Sequence, residues 1–364
     1  MNSLKIMHVV SSAASGGAEV YVKDLAKAMA GKGHKVFLVF LDRASETGRD
    51  LEFEVSFLAE LDQCGIDYGF LGRECRKNPF KGCLGLIRFC RRFRPDVIHS
   101  HLYYGALFSL PQLGVPHVYT HHNIKLKASA WLYRLLDVNT KAYVGICEAC
   151  ETLLSHVTRR QVVRIDNGVA LTRIIPKREY RTSSRIKLVC VGTLGEQKNH
   201  SLLLNALSRL ADLDYSLTVA GEGSKKTELQ DLASSLGIEG NVNFIGNCNN
   251  VKQLLHDSDV FVMSSAWEGL PIAQIEATLT GLPVLVTDVG GCAEIVDRVG
   301  NGLVAKAELD DYTKKLKRII VDDSLRLSFH KNALENSGHY TVDNAVERHL
   351  GLYDRLTHQL VSHA

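Results

Sequence analysis

No stretch of the 364-residue sequence offers the roughly 18 consecutive apolar residues that a membrane-spanning helix needs. The opening MNSLKIMHVV runs straight into a strand-like pattern and lacks the layout of a secretory signal. Both absences lead to the expectation of a cytoplasmic protein. A disulfide framework is also missing. The nine cysteines are scattered singly, and the one CxxC, Cys147 and Cys150, has no second pair at zinc spacing, so all are read as reduced structural thiols. Short-period repeats and low-complexity tracts are absent too.

What is present is ordinary for a soluble globular chain, with 45% hydrophobic and 23% charged residues. The length exceeds one typical core, so two domains are expected. The net charge of +3 hides an asymmetry. Residues 1–180 hold 25 Lys and Arg against 17 Asp and Glu, whereas the remainder holds 18 against 23. The first half is therefore expected to meet something anionic.

Short β-branched runs alternate with helical stretches. LKIMHVVSS, HKVFLVFLD, PDVIHSH and HVYTHH read as strands, and EVYVKDLAKAMAGKG as a helix. After a polar, proline-bearing pause the rhythm restarts with RIKLVCVGTL, YSLTVAGEG, VNFIGN, DVFVMSS and PVLVTD. This predicts two doubly wound α/β units in tandem, each with a parallel sheet covered by helices. The boundaries are an N-terminal domain over 1–170, a linker over 171–185 and a second domain over 186–342. A last helix over about 343–362 would pack back onto the first domain. In such sheets ligands bind outside the carboxyl ends of the strands.

Four stretches carry chemistry. SSAASGGAE (11–19) joins a strand to a helix, and Gly16 and Gly17 let backbone N–H groups approach a phosphate. It is not GxGxxG, so a dinucleotide fingerprint is not supported. His99, His101, His121 and His122 end two successive strands. No carboxylate stands at matching spacing, so no metal is expected, and a strand-end imidazole suits a hydrogen bond to sugar or phosphate. VGTLGEQKNH (191–200) places Lys198 near a helix start, where it neutralises a phosphate. SSAWEGLPIAQIEA (264–277) sets Glu268 at a turn and Glu276 inside the following helix, which Pro271 opens. A carboxylate there suits two ribose hydroxyls, and Glu268 suits the hydroxyls of a second sugar. The Asp257 and Asp259 pair in HDSDVF precedes a buried strand and is rejected as a metal site.

Together these stretches resemble glycosyltransferase family 4, retaining enzymes with the GT-B fold. EGLPIAQIE fits the family's E-x7-E pattern, and GLPVLVTDVGGCAEIV resembles its continuation. NGV at 167–169, VGTL…KN, GEG, DVFV, GGAE and DVIHSH follow in family order, so the resemblance spans nearly the whole chain. It implies two Rossmann-like domains facing a central cleft, with the donor held mainly by the second. Glu276 would bind ribose. Glu268 and the backbone of Gly269, Leu270 and Pro271 would hold the donor sugar. Lys198 would neutralise the departing diphosphate, Gly192 and Thr193 at the end of its strand would help bind the donor, and Gly16 and Gly17 would cap the diphosphate. His122, at the family's T-x-H position, would sit near the transferred sugar. The catalytic set is thus Glu268, Lys198 and His122. One departure stands out: the family's usual Arg after the phosphate-strand glycine is Thr193.

The resemblance implies a hexosyltransferase-type enzyme of lipopolysaccharide, O-antigen or capsule assembly. It would use a UDP- or GDP-sugar, a glycan or lipid-linked acceptor, no cofactor, no divalent metal and no nucleic acid. Aimed dipoles and Lys198 stabilise the leaving charge, and no glycosidase-like nucleophilic carboxylate pair is evident. RECRKNPFKGCLGLIRFCRRFRP (73–95) carries eight Lys and Arg with interleaved apolar residues. It is expected to make peripheral contact with an anionic inner membrane. Two other readings compete: a sugar-nucleotide epimerase of the same fold, and a catalytically silent nucleotide-sugar binder supported only by Thr193.

Overall fold

A computed structural model of the chain describes residues 3–48, 50–180 and 184–361. It divides into two compact units. One comprises the residues through Gly168 together with those from Val342 onward, and the other is Val169–Thr341.

The first unit is built on seven strands: β1 (Lys5–Val10), β2 (Lys35–Phe40), β3 (Asp67–Phe70), β4 (Val97–Ser100), β5 (His117–His121), β6 (Thr140–Gly145) and β7 (Gln161–Arg164). They lie in the order β3-β2-β1-β4-β5-β6-β7, and every pairing is parallel. KIMHVV and KVFLVF are almost wholly buried, which is what a parallel sheet covered on both faces requires of its inner strands. Register sets His8 of β1 directly beside His99 of β4. The helix Val342–Val361 belongs to this unit. His349 Nε2 lies 3.1 Å from the Tyr21 hydroxyl, and the Tyr353 hydroxyl lies 2.5 Å from His99 Nδ1.

The second unit has β8 (Ile186–Val191), β9 (Tyr215–Ala220), β10 (Val242–Gly246), β11 (Val260–Met263), β12 (Val284–Thr287) and β13 (Gly302–Ala305). The order is β10-β9-β8-β11-β12-β13, again all parallel. Each sheet reverses its winding beside its first strand, at β1/β4 and at β8/β11. That reversal is where loops part and a ligand crevice forms in open α/β sheets.

The stretch 171–185, expected as the linker, falls within the second unit, which begins at Val169. Leu171–Arg173 is a turn of 3-10 helix. Lys177 N–H donates to the Thr280 carbonyl at 2.7 Å, and Lys177 Nζ to the Ser258 carbonyl at 2.6 Å. The Tyr180 hydroxyl donates to the Asp259 carbonyl at 3.1 Å. Lysine methylenes and a tyrosine ring provide the contact area that a polar pattern conceals. Residues 181–183 of the stretch, and residue 362 of the expected last helix, lie outside the described residues. None of the nine cysteines, all among the described residues, forms a disulfide, and the Cys147 and Cys150 sulfurs lie 3.3 Å apart.

Candidate functional site

In the second unit the site residues gather where β8 and β11 end. After β8 the chain passes Gly192 and Thr193, makes a 3-10 turn over Glu196–Lys198, and enters the helix His200–Ser208 through Asn199. Asn199 is left-handed, with φ +46° and ψ +45°, one of two non-glycine residues with positive φ among those described. Such a conformation is held only where surroundings impose it. Here the Ser264 hydroxyl, at the end of β11, donates to the Asn199 carbonyl at 2.9 Å. The reversal folds the Lys198 stem back over Gly192. A Cβ on residue 192 would lie 2.9 Å from Lys198 Cε, so a side chain there would displace the lysine stem.

Lys198 Nζ reaches Glu268 Oε1 at 2.7 Å, with side chains 16% and 7% exposed. The Ser265 hydroxyl donates to the same oxygen at 2.8 Å, and Gln197 Nε2 donates to Oε2 at 3.2 Å. Burial alone would depress the Lys198 ammonium. The Glu268 carboxylate, as charge and as acceptor, outweighs burial and holds the lysine above its ordinary range. Charged lysine and carboxylate are thus locked together. Gly290, at φ +53°, lets the loop after β12 approach: a Cβ there would sit 1.8 Å from the Glu268 carbonyl oxygen. Gly291 N–H then donates to the Gly269 carbonyl at 2.7 Å. Leu270 is buried, and Pro271 precedes the helix Ile272–Thr280 at φ −74°.

Glu276 lies within that helix, whose residues are buried except Ala273. Its carboxylate is paired with the Arg173 guanidinium. The structure therefore brings together Gly192, Lys198 and Glu268 directly, with Gly269, Leu270 and Pro271 continuous with them and Glu276 on the next helix. Thr193 is exposed, and its carbonyl accepts Gly195 N–H at 2.9 Å. Sequence reasoning missed Gln197, Ser265 and Arg173. The first two flank named residues. Arg173 lies 103 positions from Glu276 and no local signal joins them. Asp257 and Asp259 do not converge: Asp257 is held by Gln253, and Asp259 by the backbone N–H of Lys187 at 3.0 Å.

In the first unit Gly16 caps the helix Gly17–Gly31. Glu19 turns back over this terminus and accepts from the Ser11 hydroxyl. A carboxylate stabilises the positive end of a helix. It also occupies the ground that the sequence assigned to a phosphate. The histidines form a cluster. His99 gives both ring nitrogens to hydroxyls, Tyr353 at 2.5 Å and Thr120 at 2.7 Å. His121 meets the Tyr119 hydroxyl at 2.9 Å. His101 stands between His8 and His122, at 3.0 and 3.1 Å. Burial pushes His8 and His122 down to about 3 and His121 to about 4, and holds His101 and His99 well below the usual histidine range.

The basic stretch forms the helix Pro79–Phe93. Lys81, Leu84, Arg88, Arg91 and Arg92 face outward, and Phe80 is 70% exposed. Phe89 and Phe93 pack against the core with Phe37 and Val39. Most of the interleaved apolar residues thus serve the fold, leaving an outer face that is chiefly cationic. Among the described residues no helix is long and apolar enough to cross a membrane.

Comparison with known proteins adds an independent line. The family model described as glycosyltransferase family 4 matches residues 15–173, and the model described as glycosyl transferases group 1 matches 173–336. The O-antigen biosynthesis glycosyltransferase WbnH of Escherichia coli is 34% identical over 158 residues, 43% of this chain and 44% of that protein. The N,N'-diacetylbacillosaminyl-diphospho-undecaprenol alpha-1,3-N-acetylgalactosaminyltransferase of Campylobacter jejuni is 34% identical over 118 residues, 32% of this chain and 31% of that protein. Both matches span less than half the relative's length. Among solved structures, Anabaena Alr3699/HepE, crystallised with UDP and glucose, superposes with a TM-score of 0.78 at 19% identity, covering 96% of this chain and 99% of that one.

Proposed function

This chain belongs to glycosyltransferase family 4 and has the GT-B fold, and from that premise we propose that it transfers a sugar from a UDP- or GDP-linked donor to a glycan or lipid-linked acceptor in bacterial lipopolysaccharide, O-antigen or capsule assembly. The observation that carries the reading is the buried Lys198–Glu268 pair at the β8/β11 reversal, in the turn that leads to Glu276. The names of the E. coli and C. jejuni relatives support the choice of pathway and of a diphospho-lipid acceptor.

In this reading Glu276 accepts the ribose hydroxyls, and Arg173 holds its carboxylate ready. Glu268 and the Gly269–Pro271 backbone hold the donor sugar. Lys198 supports the charge that gathers on the diphosphate as the glycosidic bond breaks, with no reorganisation needed at that moment. Gly16 and Gly17 offer backbone N–H groups to the diphosphate once Glu19 yields the helix terminus. His122 acts on the transferred sugar. Transfer proceeds with retention, without a divalent metal, and at the cytoplasmic face of the membrane. Thr193 leaves Lys198 as the cation of this loop. That favours a second reading, a nucleotide-sugar binder without turnover.

The deciding measurement is thermal stabilisation by a panel of nucleotides and nucleotide sugars in EDTA. A ligand that binds only the folded state raises the melting point by mass action. A shift with UDP- or GDP-sugars that disappears in Glu276→Ala is expected, and sugar transfer under the same conditions separates the enzyme from the silent binder. A flat response to every nucleotide refutes the proposal.

The cationic face of Pro79–Phe93 is proposed to rest on anionic lipid. Each basic residue near such a surface contributes about 1 kcal/mol. Changing Arg88, Arg91 and Arg92 together to Ser is therefore expected to lower partition onto phosphatidylglycerol vesicles by roughly two orders of magnitude at physiological salt. Unchanged vesicle binding ends this part of the reading.

A further inference from the structure

His8, His99, His101, His117, His121 and His349 are buried in the first unit beside the partly buried His122, and three of these seven make a chain. His8 Nδ1 lies 3.0 Å from His101 Nε2, and His101 Nδ1 lies 3.1 Å from His122 Nε2. At both ends a buried nitrogen has no hydrogen-bond partner: His8 Nε2 and His122 Nδ1. His8, His99 and His101 also bring ligand atoms within 4.8 Å of one another, close enough to prompt the thought of a metal ion. Yet both His99 nitrogens are already taken by the Tyr353 and Thr120 hydroxyls. The arrangement is that of a hydrogen-bonded chain.

A neutral imidazole carries one N–H and one bare nitrogen. Each link here joins an Nδ1 to an Nε2. If His8 donates from Nδ1, His101 Nε2 is bare, so His101 carries its proton on Nδ1 and donates it to His122 Nε2. His122 must then carry its own proton on Nδ1. The opposite polarity puts every proton on Nε2. A mixed set forces two lone pairs or two protons together at about 3 Å. The ends decide between the two uniform arrangements. An unsatisfied buried N–H is the costlier orphan. The Nε2 polarity leaves that donor on His8, which is fully buried. The Nδ1 polarity leaves it on His122 Nδ1, which is also covered but lies on a ring that is only partly buried, so a modest local shift admits an incoming oxygen as its acceptor.

We propose that His8, His101 and His122 form one tautomeric unit, all protonated on Nδ1, in which His101 is a positioning residue that fixes the ring orientation and presents the His122 Nδ1–H to the donor sugar or its leaving oxygen. The last clause rests on the role given to His122 above; the tautomeric unit does not. Burial keeps all three rings neutral at physiological pH, so the chain is intact under working conditions. Tyr21 closes the other side, its ring edge-on to His122 at 5.9 Å and its hydroxyl on His349.

Two measurements test it. Long-range 1H–15N spectra of the wild-type protein, with ring resonances assigned by single substitution, read each tautomer without any need for activity. Three Nδ1–H rings are expected. A mixed set, or three Nε2–H rings, overturns the proposal. The second measurement is steady-state kinetics of His101→Phe, which keeps a ring and removes both links. Loss of orientation costs roughly 10- to 100-fold, so kcat is expected to fall by that factor while donor KM and UDP affinity stay within twofold. His122 would show both tautomers. A parallel rise in KM with unchanged kcat would mark a merely structural role and overturn the positioning claim. His122→Ala separates this from the functional reading. If it leaves kcat intact, His122 does not act on the sugar, yet the spectra still decide the chain. If His101→Phe fails to fold, His8→Phe, which breaks only the far link, is expected to leave the His101–His122 link in place and to release the tautomer of both rings.

Discussion

Lowering the pH from 7.5 to 5.5 is expected to unfold the first unit while the second stays folded. Burial pushes His8, His117, His122 and His349 down to about 3 and His121 to about 4, and it holds His99 and His101 well below the ordinary value of 6.5. Neighbouring imidazoles add to this for His99, His101, His122 and His349, Lys127 adds for His121, and Arg348 adds further for His349. The sign follows from linkage. Between the folded and unfolded values the unfolded chain binds a proton that the native ring refuses. Native stability is therefore complete above about pH 6.5 and is lost as pH falls toward the folded values. Each ring loses about 1.4 kcal/mol per pH unit in that window. Seven such rings acting over one unit are comparable with the 5–15 kcal/mol that holds a typical domain. In the second unit burial lowers His200 to about 4. Calorimetry with hydrogen exchange resolved along the sequence, from pH 7.5 to 5, distinguishes the two. A first unit still protected at pH 5 would contradict the burial of these rings.

Replacing Lys198 with Ala is expected to lower kcat by 10²- to 10³-fold, the usual loss when one pre-aimed group is removed from a developing charge. It is also expected to destabilise the second unit by about 3 kcal/mol, roughly 6–12 °C in Tm, because Glu268 is left as an unpaired buried charge. Those two losses have different remedies. Lys198→Met with Glu268→Leu removes both charges and keeps volume, so stability should return, while transfer should not. Recovery of activity in the double variant would show that the pair is structural alone. The pH dependence agrees in sign. Glu268 raises the lysine above its ordinary 10.5, so the pair's contribution is complete below that value and lost only as pH rises through the higher folded value. No change in the pair is expected between pH 7 and 9.

The sequence by itself determined the two-layer rhythm. Inner parallel strands such as KVFLVF and DVFVM must be apolar on both faces, and that writes a continuous signal. It also marked Lys198, Glu268 and Glu276, because glycine, proline and acid at fixed spacing within one strand–turn–helix act locally. The half-exposed edge strands DYGF, QVVR and GLVA escaped notice, and so did the buried inner strand TKAYVG, whose polar Thr140 and Lys141 break the apolar run. Only the tertiary structure decided the partners. Arg173 meets Glu276 across 103 positions, His8 meets His101 across 93, and Tyr353 meets His99 across 254. Such pairs are made by strand order and by the return of the last helix, and the energy of a buried hydrogen bond or ion pair depends on proximity in space, for which spacing along the chain is no guide.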